Sequence, residues 1–163
     1  MFDQQKGSKK VDKRTEFSNA LKESLKTKAV VATATIRLIL AALKDRDIEA
    51  RGHGHPEGIN ESDILSLLQS MVKQRQESFK TYNDANRKDL ADREAEEIII
   101  IKGFLPQQMD ESEIKKTVDD LITELGVSDI KEMGKVMAAL KTRYAGKLDM
   151  ARASALVKEQ LAA

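Results

Sequence analysis

Residues 29–50 read AVVATATIRLILAALKDRDIEA, and their apolar side chains recur at intervals of three and four positions. This is the period of an α-helix. The apolar residues form two faces, one with Val30, Val31, Ala34, Leu38 and Ala41, the other with Ile36, Ile39, Leu40 and Leu43. The polar strip between the faces is narrow: Thr33, Arg37, Lys44 and Asp47. The pattern predicts a central helix that is covered on two sides.

Residues that break helices are sparse in the rest of the chain. The only prolines are Pro56 and Pro106, and glycines stand close to both. Apolar residues elsewhere keep the helical period, and no sustained alternation indicates a strand. We therefore predict an all-α fold with seven helices. We expect them at about residues 16–27, 29–50, 90–102 and 129–145, with three more that start near residues 60, 110 and 149.

Capping residues support several of these boundaries. Asn60 and Asp110 are each followed three positions later by an acidic residue, as in a capping box, and Gly126 is suited to end the fifth helix. The run of isoleucines at 98–101 resembles a strand when it is taken alone. Because it lies between the charged segment REAEE and Gly103, we interpret it as the buried end of a helix.

The composition excludes several classes of protein. The 163 residues include no cysteine, which removes disulfide scaffolds, thiolate zinc sites, iron–sulfur clusters and thiol nucleophiles. The 28 basic residues nearly balance the 27 acidic ones, for a net charge of +1. That balance argues against a general polyanion binder, since proteins that bind duplex DNA favour markedly basic domains. We predict no cofactor and no metal.

The chain divides into three expected segments. We predict a disordered basic tail at 1–14, an N-terminal domain of about four helices at 15–105, and a small three-helix domain at 108–163. The N-terminus has no apolar core of a secretory signal, and a mitochondrial leader would have more arginine and no acidic residues. The most apolar run, 29–43, is too short to cross a bilayer, which needs about 20 residues.

Charge is unevenly distributed along the C-terminal segment. Residues 106–130 hold seven acidic and two basic residues, whereas residues 131–158 hold seven basic and two acidic residues. Gly134 leaves the backbone beside Lys135 bare, and Gly146–Lys147 precedes a helix N-terminus, where unpaired backbone N–H groups favour an anion. This pattern indicates a phosphate-sized site. The alternative is that these lysines only solvate a helical hairpin.

Arg75 lies within the apolar stripe of the third helix, where a guanidinium needs a partner. Glu94 and Glu97 lie on the apolar face of the fourth helix, so we predict an ion pair between Arg75 and one of them. The pair either sets the register of two helices or supplies a carboxylate with a shifted pKa for catalysis.

His53 and His55 lie in the glycine-rich loop GHGHPEG, with only Glu57 nearby as a third metal ligand. We interpret this segment as a solvated loop rather than a metal site. Nucleotide-binding, hydrolase and metalloprotease motifs do not occur. The sequence therefore predicts no catalytic residues.

Three blocks carry a resemblance to a known family. They are VKQRQESFKTYNDANRKDLADREAEE at 72–97, FLPQQM at 104–109, and MGKVMAAL with AGKLD at 133–140 and 145–149. In this order and spacing they resemble the GatB/YqeY family over nearly the whole chain. The segment IIIIKGFLP departs from the family pattern at Lys102–Gly103, where relatives often continue the helix.

The resemblance implies an all-helical protein similar to the tail domain of GatB, a subunit of glutamine-dependent tRNA amidotransferase. In that enzyme the tail is implicated in holding tRNA, and the catalytic domain of GatB has no counterpart here. We therefore expect a non-catalytic, tRNA-directed accessory protein of translation. The expected phosphate contacts are Gly134, Lys135, Lys141, Arg143, Gly146, Lys147 and Arg152, with Lys131 as a weaker member.

Two other classes of function remain open. One is a helical adaptor for protein–protein interaction without an RNA ligand. The other is a carbon–nitrogen ligase, as the family association suggests, which would require Arg75, Glu94 and Glu97 to line an open cleft. An amidotransferase or another translation protein is the expected protein partner, and no membrane partner is expected. We expect a cytoplasmic protein in a bacterium and a mitochondrial matrix protein in a eukaryote.

Overall fold

A computed structural model describes residues 11–163, and every regular element in that part of the chain is helical. The seven α-helices are α1 (Lys13–Lys26), α2 (Val30–Gly52), α3 (Glu61–Asp84), α4 (Lys88–Lys102), α5 (Glu111–Leu125), α6 (Met133–Arg143) and α7 (Met150–Ala162). A 3₁₀ turn at Ile130–Glu132 precedes α6. The prediction of an all-α fold with seven helices is confirmed for these residues.

Local capping fixes several helix ends. The Asn60 side chain accepts a hydrogen bond from the backbone N–H of Asp63 at 2.9 Å. Asp110 and Glu113 form a reciprocal capping box in which each side chain accepts from the other residue's backbone N–H, both at 2.8 Å. Gly126 ends α5 in the left-handed conformation, with φ of 63°. These predicted caps are confirmed.

The four isoleucines at 98–101 form the last turn of α4. Ile101 is fully buried, whereas Ile99 is 72% exposed. In α4 the buried positions recur at Ala91, Glu97 and Ile101, as expected for one side of a helix. The interpretation of this run as a helix end rather than a strand is confirmed.

The buried apolar side chains form two clusters that follow the order of the chain. The N-terminal cluster contains Phe17, Ile36, Ile39, Leu43, Ile64, Leu67, Leu68, Met71, Val72, Ile101 and Phe104. The C-terminal cluster contains Ile114, Val118, Leu121, Val127, Val136, Leu140, Leu148, Ala153, Leu156 and Val157. In the first, the rings of Phe17 and Phe104 pack edge to face with centroids 5.0 Å apart, which joins α1 to the turn that follows α4.

The orientation of α2 differs from the prediction. Thr33 and Asp47, expected in an exposed polar strip, are buried. The Thr33 hydroxyl donates to the Ser24 hydroxyl of α1 at 2.9 Å, and Arg14 donates to both carboxylate oxygens of Asp47 at 2.5 and 2.8 Å. Because α1 supplies these polar partners, Thr33 and Asp47 are turned inward, whereas Arg37 and Lys44 of the same strip are exposed. Apolar residues that were expected to be covered also lie on the surface: Val30 and Leu38 are 76% and 47% exposed, and Ile48 is 55% exposed.

The first helix begins earlier than expected. Asp12 caps it by accepting from the backbone N–H of Thr15 at 2.8 Å. The ion pair with Asp47 then fixes Arg14, so the expected disordered tail does not extend to residue 14. The rest of that predicted tail, residues 1–10, lies outside the described residues.

Candidate functional site

The basic residues predicted to contact phosphate are partly paired with the acidic helix α5. Arg143 donates to Glu124 at 2.8 Å, and Arg152 donates to Glu111 through Nε at 2.8 Å. The hydrogen bond from Arg143 lowers the pKa of the Glu124 carboxyl, and the bond from Arg152 lowers the pKa of Glu111. Two ion pairs therefore join acidic residues of 106–130 to basic residues of 131–158.

Two lysines that were predicted to contact phosphate pair with carboxylates outside α5. Lys135 of α6 pairs at 2.9 Å with Glu132, the last residue of the preceding 3₁₀ turn, and the hydrogen bond lowers the pKa of Glu132. Lys141 reaches toward Asp63 on α3, with 4.0 Å between charged atoms. Three exposed lysines within residues 131–158 form no ion pair with a described residue: Lys131, Lys147 and Lys158.

The N-terminus of α7 is already occupied by a carboxylate. Asp149 Oδ1 accepts from the backbone N–H groups of Ala151 at 2.8 Å and Arg152 at 3.3 Å. Because these are the donors that would hold a phosphate, the anion position predicted beside Lys147 is filled by the protein itself.

The two glycines of the predicted set have different environments. Gly146 is buried with φ of 73°, and a Cβ built there would lie 2.8 Å from the Cβ of Leu65 on α3. It serves close packing between the two clusters and is not exposed to a ligand. Gly134 is exposed, and a Cβ built there would meet no heavy atom within 4 Å, so no other helix packs against it.

Hydrogen bonds join the two clusters near Gly146. The Gln69 side chain of α3 donates to the carbonyl of Leu148 at 2.9 Å, and the Gln108 side chain donates to the carbonyl of Gly146 at 2.6 Å. The backbone N–H of Met109 donates to the carbonyl of Lys147 at 2.7 Å. These bonds hold the loop between α6 and α7 against α3 and against the segment between α4 and α5.

A cleft of about 510 Å³ lies beside this junction. Its walls come from α3, the end of α4, the segment after α4 and the start of α7. The lining residues are Ser66, Gln69, Ser70, Val72, Lys73, Gln76, Lys102, Leu105, Gln108, Asp149, Met150 and Ala151. We call this space the junction cleft.

The junction cleft is not predicted from the sequence. A signal was present, because Gln69, Lys73 and Gln76 recur at intervals of four and three on the polar side of α3. Polar residues with this spacing usually face only solvent. Here Lys102 from α4 and Met150 from α7 complete a concave site, which depends on contacts distant in sequence.

The structure brings Arg75 and Glu97 together. Arg75 Nε donates to Glu97 at 2.8 Å, and their side chains are only 14% and 11% exposed. Arg93 donates to the other oxygen of Glu97 at 3.0 Å. No ion pair among the described residues involves Glu94, and partial burial raises the pKa of its carboxyl, with nearby Glu97 adding to the effect. The Arg75–Glu97 pair is packed between α3 and α4 rather than lining an open cleft.

His53 and His55 are exposed in the loop after α2. His53 Nδ1 lies 2.9 Å from the carbonyl oxygen of Glu49, and its side chain borders a second cleft of about 350 Å³ between α2 and α3. Within residues 11–163, no group of three or more histidine, cysteine or acidic side chains is placed to hold a metal.

Comparison with known proteins places the chain in a family. The family model described as YqeY-like protein matches residues 14–161. The chain belongs to the YqeY-like family. This is the family of free-standing YqeY proteins related to the C-terminal domain of GatB, so the resemblance found in the sequence is confirmed.

Curated relatives of this YqeY-like chain are yeast proteins named altered inheritance of mitochondria protein 41, mitochondrial. The protein of Lachancea thermotolerans is 32% identical over 121 residues, which cover 73% of this chain and 63% of the relative. The protein of Clavispora lusitaniae is 32% identical, with 67% and 62% covered. The protein of Vanderwaltozyma polyspora is 27% identical, with 69% and 62% covered. The matched part therefore spans slightly less than two thirds of these relatives.

No helix in residues 11–163 combines the length and apolar character needed to span a membrane.

Proposed function

We propose that this YqeY-like protein is a non-catalytic accessory protein of translation that binds tRNA. The observation that carries the proposal is that three exposed lysines within residues 131–158, Lys131, Lys147 and Lys158, form no ion pair with a described residue. The relation of the family to the C-terminal domain of GatB, whose tail is implicated in holding tRNA, supports it. Lysines that are not neutralised by the protein are suited to phosphate contacts.

The paired cations contribute to the same surface. Lys135, Lys141, Arg143 and Arg152 are exposed, and surface ion pairs are weak because water solvates both partners. Each of these cations can therefore exchange a carboxylate for a phosphate at little cost. With few aromatic residues in the chain, binding is led by RNA shape and phosphate contacts rather than by base stacking.

The test is the affinity for a tRNA transcript at several salt concentrations. We expect Lys147→Ala and Lys135→Ala each to reduce the slope of log affinity against log salt by ~0.7 to 0.9, as one lost phosphate contact does. Lys22→Ala, on the exposed surface of α1, is the matched control and leaves the slope unchanged. The proposal is wrong if tRNA binds equally to a variant in which Lys135, Lys141, Arg143, Lys147 and Arg152 are all changed to glutamine.

We further propose that residues 15–105 and 108–163 are separate domains. Each segment has its own hydrophobic cluster, and the connection between α4 and α5 contains Pro106. Limited proteolysis should then cleave first between Gly103 and Asp110. Cleavage that begins inside α2 or α6 would contradict this division.

The mitochondrial names of the yeast relatives favour a role in the mitochondrial matrix if the source of this chain is a eukaryote. In a bacterium the corresponding compartment is the cytoplasm. Translation operates in both, so the proposed function fits either location. Fractionation of source cells with an antibody against the protein distinguishes the two.

The exposed apolar side of α2 favours a second candidate, a helical adaptor that binds another protein without RNA. Leu38 and Ile48 lie on this side and are about half exposed. An amidotransferase or another translation protein would be the partner. If the adaptor role is correct, the wild-type protein should bind a purified amidotransferase but not tRNA, and Leu38→Glu with Ile48→Glu should abolish the association with the amidotransferase.

A further inference from the structure

We propose that the junction cleft binds one unpaired nucleotide of the RNA. This inference rests on the proposed function for the identity of the RNA, but the cleft can be tested without tRNA. Its volume of about 510 Å³ lies within the range of small-molecule sites. An RNA duplex is too wide to enter such a site, whereas a base that is splayed out of the helix can enter.

The charge of the cleft favours a phosphate. Lys73 on α3 and Lys102 at the end of α4 line it, both are exposed, and neither forms an ion pair with a described residue. The acidic residue in the lining, Asp149, already accepts two backbone N–H groups of α7. Two lysines and one carboxylate leave the lining with a net charge of +1, and neither lysine is engaged by that carboxylate.

The apolar part of the lining is suited to a base. Val72 is buried, and Leu105 and Met150 are partly buried, so together they provide an apolar surface beside the lysines. The Gln76 side chain also lines the cleft and offers amide groups that can read a base edge. A site that combines cations, an apolar surface and an amide matches the phosphate, ring and polar edge of a nucleotide.

The walls of the cleft are fixed before a ligand arrives. Gln69 and Gln108 use their side-chain N–H groups to hold the loop between α6 and α7, and Gly146 packs against Leu65. A preformed site loses less conformational entropy on binding. The cleft also contrasts with the surface of α6 and α7, where most of the cations already pair with carboxylates.

The first experiment uses the single-stranded pentanucleotide A5 as the probe. Titration of the wild-type protein should shift the backbone amide resonances of Lys73, Gln76 and Ala151 in NMR spectra. Ala151 is exposed and lines the cleft, so Ala151→Phe should fill the space without changing the charge and abolish these shifts. If A5 causes no shifts in the wild-type protein, or shifts confined to α6, the inference is wrong.

The second experiment measures tRNA affinity. We expect Lys73→Gln with Lys102→Gln to weaken binding about tenfold near 0.1 M salt, because two phosphate contacts are lost. Ala151→Phe should weaken it although no charge is removed. The control, Lys22→Gln with Lys26→Gln on α1, removes the same charge outside the cleft and should change affinity far less. Thermal melting followed by circular dichroism confirms that each variant is folded.

The outcomes separate this inference from the proposed function. If the wild-type protein binds A5 in the cleft but does not bind tRNA, the function is wrong and the nucleotide site remains. If tRNA affinity depends on the cations of α6 and α7 but is unchanged by both cleft variants, the function remains and the inference is wrong.

Discussion

The regions around the N-terminal and C-terminal clusters both use ion pairs between helices, but the pairs differ in burial. Arg75 and Glu97 join α3 to α4 with side chains 14% and 11% exposed. Arg143 and Glu124 join α6 to α5 with side chains 46% and 54% exposed. A buried pair fixes the position of its helices because neither charge can be left alone, whereas an exposed pair can open into water. The first region thus uses charge for architecture, and the second keeps charge available at its surface.

The largest effect should follow from removing one partner of a buried pair. Glu97→Leu leaves the guanidinium of Arg75 without its carboxylate, and we expect a loss of about 3–5 kcal/mol in the free energy of unfolding. Urea denaturation followed by circular dichroism gives the value. The double variant Arg75→Met with Glu97→Leu should recover much of the loss. A double-mutant cycle without coupling between these residues would contradict the structure.

The contact between the two regions gives the next effect. Gly146→Ala places a Cβ 2.8 Å from Leu65 Cβ at a residue with φ of 73°, so both crowding and backbone strain oppose it. We expect a loss of about 2–4 kcal/mol, again from urea denaturation. Gly134→Ala is the matched control and should stabilise the protein by up to about 1 kcal/mol, because alanine is the better helix former. Equal effects at the two glycines would contradict the packing at Gly146.

The pair between Arg14 of α1 and the buried Asp47 of α2, in which the Arg14 side chain is 36% exposed, adds a dependence on pH. The hydrogen bonds from Arg14 lower the pKa of the Asp47 carboxyl, with the Ile59 backbone N–H adding to the effect. We expect Asp47→Asn to cost about 2 kcal/mol at pH 7.

The sign of this dependence follows from the direction of the pKa shift. The carboxylate contributes its full stability above its pKa in the unfolded chain, near 3.8, and loses it as pH falls through the lower native pKa. The difference between wild type and Asp47→Asn should therefore shrink below about pH 4, which urea denaturation at several pH values will show. A difference that stays constant to pH 2 would mean that Asp47 does not act through its charge.

These features differ in how far the sequence could predict them. The capping box of Asp110 and Glu113 depends on residues three positions apart, and a local pattern was sufficient. The inward orientation of Asp47 depends on Arg14, which is 33 positions away in the segment predicted as a disordered tail. Similarly, the acidic and basic segments at 106–158 looked separate along the chain. The two ion pairs that join them, Arg143 with Glu124 and Arg152 with Glu111, form only when α6 and α7 pack against α5.

The smallest effect on stability should come from the exposed pair, where binding is the more sensitive measurement. Glu124→Gln removes the carboxylate that accepts from Arg143, and because both side chains are about half exposed, we expect no measurable change in the urea midpoint. Arg143 then faces solvent without a partner. If the proposed function is correct, tRNA affinity should rise about two- to threefold, since one more cation can meet a phosphate without first losing a carboxylate.

The control is Glu96→Gln, which changes an exposed glutamate on α4. It removes the same charge elsewhere and so corrects for the change in net charge. An equal rise in both variants would mean that Arg143 has no specific part in the RNA surface.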